Sequence, residues 1–322
     1  MTLACNSRLL TIVIPTYNRA QFLQRAVESC LQDGCANAEV VVVDDGSMDN
    51  TVDLVRSFEG SVRLLQYRHT GANAARNLGL KYARGRYVRF LDDDDWLSPG
   101  VNTRQIETIE NTGVDVCYGD WQDVFFEDGQ IREGAIHTAG HVDDVVDALL
   151  SDWWCANSCY LIRRDLALAV GGWDEKLQAC QDFDFMLRVA MHGARFVYSP
   201  NMVSYYLHHV GSSVSQDNLK NWALAKRLIL SNAEKQLVRA SAFSEKRRRL
   251  VGSGHWKLAK ILLSQDRAAF NEAMGDVQRL LGREIPGPSW YRGLVRAIGY
   301  RSTENLLELR RRYLRRTKRN GY

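Results

Sequence analysis

The chain has 322 residues, 45% hydrophobic and 25% charged, which suits one large or two ordinary soluble domains with a full core. Its apolar runs fall well short of the roughly 18 residues of a membrane span. No basic-then-apolar leader opens it, and seven cysteines without a CxxC pair argue against a zinc ribbon or disulfide framework. The net charge of +4 is uneven, because residues 301–322 carry eight basic side chains against two carboxylates.

Residues 9–15 read as a continuous apolar strand, the kind buried on both faces of a parallel sheet. Residues 21–32 put Phe22, Leu23, Ala26, Val27, Cys30 and Leu31 on one helical stripe. A second buried strand covers 39–44, and 49–58 predicts a helix capped by Ser47 or Asp49. Strand 62–67, helix 72–83 and strand 86–91 follow. Ser98 and Pro99 read as a cap and first-turn proline opening a helix over 100–111, before a fifth strand at 114–119. From Trp121 the alternation lapses into shorter strands (122–126, 158–163, 195–199, 203–209) and helices (142–150, 183–192). Beyond residue 217 the pattern is helical, over 219–237, 244–264 and 268–281.

Such alternation predicts an α/β fold built on a doubly wound sheet. The expected domains are 1–215, with halves 1–120 and 121–215, and a helical C-terminal region, 216–322, ending in the basic tail. Ligands of these sheets collect at the carboxyl ends of strands. That places the interest in residues 15–19, 44–47, 68–77 and 92–95.

The last of these is the run "RFLDDDDWLSP". Two unit charges 4 Å apart repel by about 4 kcal/mol at an effective dielectric of 20, and a divalent cation turns that repulsion into attraction. Hard carboxylate oxygens suit Mg²⁺ or Mn²⁺, with phosphate oxygens and water completing the shell. A metal–diphosphate site follows. The first strand leads into "PTYNRA" with no glycine, so the dinucleotide fingerprint is missing, and no P-loop sequence occurs.

The segments "TIVIPTYNRAQFLQRAVESCL", "VVVVDDGSMDNT", "TGANAARNLGL", "YVRFLDDDDWLSP" and "GGWDEKLQACQDFDFMLRVAMHG" resemble, in order and spacing, glycosyltransferase family 2. The resemblance covers residues 9–215. It implies a GT-A fold, a Rossmann-like mixed sheet that binds a nucleotide sugar, and an inverting transfer. Carried over residue by residue, it places Pro15, Thr16 and Tyr17 against the nucleoside and Asp45 on the base, with Asp44 holding the turn. Gly71, Arg76 and Asn77 lie beside ribose and diphosphate, with helix packing and a surface ion pair as the structural alternatives. Asp94 is the metal ligand, Asp92 or Asp93 serves the ribose or a metal-bound water, and Asp95 is left to cap the next helix. Asp182, in "QDFDF", matches the catalytic base, although Gln181 stands where the family more often has Glu; the plain alternative is a helix cap. His209 fits the family's histidine at the metal or diphosphate, and a neutral imidazole suits Mn²⁺. Trp153, Trp154 and Asn157 fall where acceptor loops lie, and aromatic faces suit sugar rings as well as cores.

The expected activity is transfer from a nucleotide-sugar donor, with UDP favoured, to an acceptor hydroxyl of a glycan or lipid-linked molecule, assisted by a divalent cation. A nucleotidyltransferase and a non-catalytic nucleotide-sugar-binding scaffold are the alternatives. No nucleic-acid motif accompanies the basic charge. A cytoplasmic protein is expected, with peripheral contact to an anionic membrane through the basic tail.

Overall fold

β1 (Leu10–Thr16) is buried along its whole length, as the apolar run requires. It lies parallel to β2 (Ala38–Asp44) on one side and β4 (Tyr87–Phe90) on the other, and β3 (Val62–Gln66) lies parallel to β2. The computed structural model that gives these pairings describes residues 9–310 apart from positions 59, 128, 210–217, 283, 305 and 308. Helices α1 (Ala20–Gln32), α2 (Thr51–Ser57) and α3 (Ala72–Tyr82) supply the connections. α1 buries Leu23, Ala26, Val27 and Cys30, whereas Leu31, at the edge of the stripe, stays exposed. α3 lies so close to β1 that a Cβ at Gly79 would sit 2.3 Å from Val13 Cγ1.

The second half of the sheet comprises β5 (Trp96–Leu97), β6 (Val116–Glu127), β7 (Gln130–His137), β8 (Leu161–Arg163) and β9 (Phe196–His209). Helices α4 (Val101–Thr112), α5 (Val145–Leu150), α6 (Arg164–Ala169) and α7 (Gln181–Met191), with a 3₁₀ turn at Asn157–Cys159, join them. Among the described residues the nine strands form one mixed sheet in the order β3-β2-β1-β4-β8-β6-β9-β5, with β7 against β6. β8 is antiparallel to β4 and β6, β9 is parallel to β6, and β5 is antiparallel to β9. β6 runs straight through residues 120 and 121, so both expected halves share one sheet.

Several local expectations give way to long-range pairing. Ser98 does not cap α4: Gly100, with φ 71°, occupies that place without a side-chain cap, and the Ser98 N–H donates to Val203 O at 2.8 Å. The cause is β5, whose Trp96 stacks on Tyr205 of β9 with ring centres 5.4 Å apart. The strands expected at 195–199 and 203–209 are one strand, β9, which absorbs Pro200 in a stretch of shifted register against Tyr118–Trp121. The hairpin strand β7 and the short helix α6 had no counterpart in the sequence reading.

Beneath the tetra-aspartate turn, Arg89 is fully buried. It donates to Asn102 Oδ1 at 2.9 Å and to Gln105 Oε1 and Ser158 O, joining β4 to α4 and the 3₁₀ turn.

Clustering of backbone contacts divides the chain into residues 1–214 and 215–322. The second unit contains α8 (Leu219–Arg239), α9 (Glu245–Leu262), α10 (Arg267–Leu281) and α11 (Ser289–Ile298). Side-chain caps from Asn218, Ser244 and Asp266 open α8, α9 and α10. Arg227 of α8 grips Asp276 of α10 at 2.9 Å, and Arg279 reaches back to Glu234 at 2.8 Å.

Candidate active site at the carboxyl ends of the strands

The strand order reverses between β1 and β4, the place where such sheets open a crevice. The loops after these two strands are tied together by charge. Arg19, from the β1 loop, holds Nη1 2.6 Å from Asp94 Oδ2 and 3.3 Å from Asp93 Oδ1. Arg76, buried on α3, places Nη2 2.6 Å from Asp92 Oδ1 and its guanidinium 4.7 Å from the centre of the Trp173 ring. Asp95 turns inward, where it accepts the Leu207 N–H at 3.0 Å and the Ser158 hydroxyl at 3.4 Å. It therefore anchors β9 and the 3₁₀ turn, and does not cap α4.

Four adjacent carboxylates are thus shared between two guanidiniums and a buried strand. Their crowding still leaves a mark. Burial pushes the Asp93 carboxyl up to about 7, the Asp94 charge adds to the shift, and Arg19 opposes it. Asp95 is raised well above the carboxylate range by burial and then by Asp94 and Asp92.

The β1 and β2 loops clasp each other. The Asn18 N–H donates to Ser47 Oγ at 2.8 Å and the Met48 N–H returns a bond to Asn18 Oδ1 at 2.7 Å. Asp44 accepts the Ser47 N–H at 3.0 Å, holding the turn. Asp45, buried, accepts N–H bonds from Thr70 at 2.9 Å and Gly71 at 2.8 Å. Gly71 opens α3 with φ 105°, a backbone conformation suited to glycine. Tyr17 stacks on His69, ring centres 4.0 Å apart, while Pro15 and Thr16 are buried in the last turn of β1.

α7 starts after Cys180, held at φ 59°, and Asp182 stands in its first turn. Burial raises the Asp182 carboxyl to about 6; the charge of Arg76 lowers it and that of Asp92 raises it. Asp184 is engaged elsewhere, bound by Arg188 at 2.6 Å, and Arg188 also donates to Val170 O and Gly172 O at 2.8 Å. Asn77 donates to Trp173 O at 2.9 Å and Glu175 Oε1 at 2.8 Å and accepts the Trp173 N–H at 2.8 Å. It positions the loop whose tryptophan lies under Arg76. Trp153 donates its indole N–H to Ala139 O at 3.0 Å and packs edge-on against Tyr118. Trp154 is exposed, and Asn157 is buried with its amide nitrogen unpartnered.

The signature of Glycosyl transferase family 2 matches residues 11–167, the stretch that builds the charged crevice. Residues 11–167 form a glycosyltransferase family 2 domain. The chain is similar to the Escherichia coli UDP-Glc:alpha-D-GlcNAc-diphosphoundecaprenol beta-1,3-glucosyltransferase WfgD, 37% identical over 117 residues, 35% of this chain and 46% of WfgD. It spans about half the length of several curated relatives that it matches. Its backbone is similar to the crystal structure of S. aureus TarS 1-349 in complex with UDP, with a TM-score of 0.64 at 18% identity over 94% of this chain and 91% of that one. A more distant likeness, TM-score 0.51 at 17% identity over 94% and 87%, is to the Pyrobaculum calidifontis mannosyltransferase PcManGT in complex with GDP-Man and Mn²⁺. The GT-A fold expected from the motifs is therefore the fold observed.

Within the family 2 domain, Asp94 and Asp92 keep 17% and 30% of their side chains exposed. Mg²⁺ commonly takes one or two carboxylates and leaves the rest of its shell to phosphate and water, so these hard oxygens fit such an ion. Among the described residues no group of three His, Cys, Asp or Glu side chains converges on one point. The side chain of His209 lies outside the described residues; its backbone ends β9 opposite Phe126. Arg19 escaped the sequence reading. Its signal was present, for a basic residue in the loop after the first strand faces the only other loop at the reversal point, and that loop carries four acids.

Proposed function

We propose that the protein transfers a glycosyl group, with inversion, from a nucleotide sugar to an acceptor hydroxyl. The observation that carries this reading is the family 2 signature over the charged crevice, with Asp182 in the first turn of α7, its carboxyl raised to about 6 near Arg76 and Asp92. A general base works best with a pKa near the operating pH. Asp182 takes the acceptor proton while the hydroxyl attacks the anomeric carbon opposite the leaving diphosphate, the two-centre arrangement of inverting glycosyl chemistry. Arg76 keeps Asp182 from drifting higher, and Trp173 and Asn77 keep Arg76 in place. Tyr17 and Asp45 serve the nucleoside, with Gly71 setting the bend that brings its loop to Asp45. Asp94 and Asp92 would hold a divalent cation, Mg²⁺ or Mn²⁺, which when bound would supply Lewis-acid charge at the departing diphosphate. The UDP-Glc named as the donor of WfgD and the UDP bound in the TarS structure support a UDP-linked donor, and the diphosphoundecaprenol-linked substrate in the name of WfgD supports a lipid-linked acceptor.

Asp182→Asn tests the assignment. Transfer measured by UDP release with acceptor present is expected to fall by about 10²–10⁴-fold, while UDP affinity by calorimetry stays within about twofold. Normal turnover in this variant removes Asp182 from the mechanism.

A membrane-linked acceptor agrees with the second unit. On α11, Trp290, Leu294 and Ile298 recur every four residues and are exposed, beside exposed Arg292 and Arg296 and no acid. We infer that this face, with the basic tail whose residues 311–322 lie outside the described residues, rests on an anionic bilayer. Among the described residues no helix is long and apolar enough to cross one. Sedimentation with phosphatidylglycerol vesicles should retain the chain, and R292E/R296E should release it; equal retention of both refutes the contact.

A further inference from the structure

Strand alternation turns Trp121, Asp123 and Phe125 of β6 to one face of the sheet. Their cross-strand partners complete a wall that the charged crevice does not use. His137 of β7, paired with Trp121, stacks on its ring with centres 4.9 Å apart and bonds Asp123 Oδ2 through Nε2 at 2.7 Å. His208 of β9, paired with Phe125, stacks on that ring at 4.9 Å and brings Nε2 3.1 Å from Asp123 Oδ1. One carboxylate therefore hydrogen-bonds His137 and lies within ion-pair distance of His208, whose buried Nε2 makes no hydrogen bond. Trp154 meets Trp121 edge-on at 5.0 Å and Tyr206 edge-on at 5.9 Å, and Tyr206 also meets His208 at 5.0 Å.

The wall is open to solvent where a ligand would need it. Trp154 is 42% exposed, and the side chains of His137 and His208 are 40% and 36% exposed. It also lies beside the tetra-aspartate turn: Leu207, between Tyr206 and His208 on β9, donates its N–H to Asp95 Oδ1 at 3.0 Å, and the Tyr206 hydroxyl is raised by burial and then by the charges of Asp95, Asp92, Asp182 and Asp94. Ordinary core packing would not leave two imidazoles and an indole this exposed to water.

We infer that Trp154, His137 and His208, organised by Asp123, form the subsite for a neutral pyranose ring of the acceptor. This rests on the glycosyl-transfer reading and names the substrate class on its acceptor side. A pyranose offers an apolar C–H face, which matches an exposed indole, and hydroxyls that match oriented imidazole nitrogens. Among the described residues the wall holds no Lys or Arg, so it is unsuited to an anionic group. A lipid-linked diphosphate would have to lie beyond it.

The 322-residue chain is tested by saturation-transfer NMR with a panel of methyl hexopyranosides in the presence of UDP, and by UDP-sugar hydrolysis without acceptor. Wild type should give ring-proton saturation with at least one glycoside. Trp154→Ala should weaken that glycoside by about tenfold, Trp154→Phe should restore most of it, and both should keep wild-type UDP affinity and donor hydrolysis. Asp123→Asn should weaken it as well, because His137 loses its carboxylate partner and His208 the neighbouring charge. Absence of saturation across the panel in wild type, or undiminished binding in Trp154→Ala and Asp123→Asn, overturns the subsite. If UDP binding and donor hydrolysis are absent from wild type while the glycoside still binds, it is the transfer reading that fails, and the wall remains a saccharide site.

Discussion

The two halves of the sheet offer a ligand different chemistry. At the carboxyl ends of β1, β2 and β4 the working groups are charges: Asp92, Asp93 and Asp94 against Arg19 and Arg76. Across β6, β7 and β9 they are rings: Trp121, Trp154, Tyr206, His137 and His208 around a single carboxylate. A diphosphate leaving group demands the first kind of surface, because charge must be balanced in a poorly solvated crevice. A neutral sugar gains little from fixed charge and much from flat apolar faces. Asp182 stands where the two meet, so its ionisation is the natural place to probe the division.

The largest structural effect is expected from Arg76. Its guanidinium is buried against Trp173 and balances Asp92 and Asp182 at once. Arg76→Met leaves that charge unpaired, which typically costs about 3–5 kcal/mol; because Asp92 keeps 30% exposure, about 3 kcal/mol is expected at pH 8. Denaturant unfolding measures it. A loss below about 1 kcal/mol would show that the donor half does not depend on charge balance, and the contrast between the halves would lose its footing.

Next comes the pH profile. Asp182 must be ionised to accept a proton, and its folded value is about 6. Turnover per unit of enzyme should therefore fall about tenfold per pH unit below that value and level off above it. Arg76 lowers the Asp182 value and Asp92 raises it, so Asp92→Asn should move the acid limb to lower pH. A limb that stays put in Asp92→Asn would assign it to another group.

Much of the donor half was legible because its residues lie in short contiguous runs that each follow a strand. "PTYNRA", "DDGS" and "DDDD" needed only the strand periodicity to be placed at one edge of the sheet. The acceptor half was not legible in this way. Asp123, His137 and His208 lie 14 and 71 residues apart along the chain and meet only through the register of β6 with β7 and β9. No local pattern encodes that register, and Gln130–His137, exposed on most of its length, lacks the apolar run that marks a strand. Trp153 and Trp154, adjacent in sequence, part company for the same reason. Trp153 has its indole N–H on Ala139 O, whereas Trp154 meets β6 and β9 at the surface.

The smallest expected effect concerns Asp93, and it separates stability from function. Its folded value of about 7 lies above the ordinary carboxylate range, so between roughly pH 4 and pH 7 the folded state binds the proton that the unfolded chain releases. The stabilisation from that proton is fully present below about pH 4 and is lost as pH rises through about 7. Asp93→Asn removes the ionisable group but keeps a polar side chain beside Arg19. At pH 8 the variant should therefore be more stable than wild type, by about 1–2 kcal/mol once the lost ion pair at 3.3 Å is set against the relieved burial of charge, or a rise in Tm of a few degrees. At pH 5, where wild type already carries the proton, the difference should shrink. Thermal melts at the two pH values check the sign. A variant that is less stable at pH 8 would mean that Arg19 more than balances Asp93. The acid crowding of the donor half would then be neutralised by the protein itself, with little left for a cation to do.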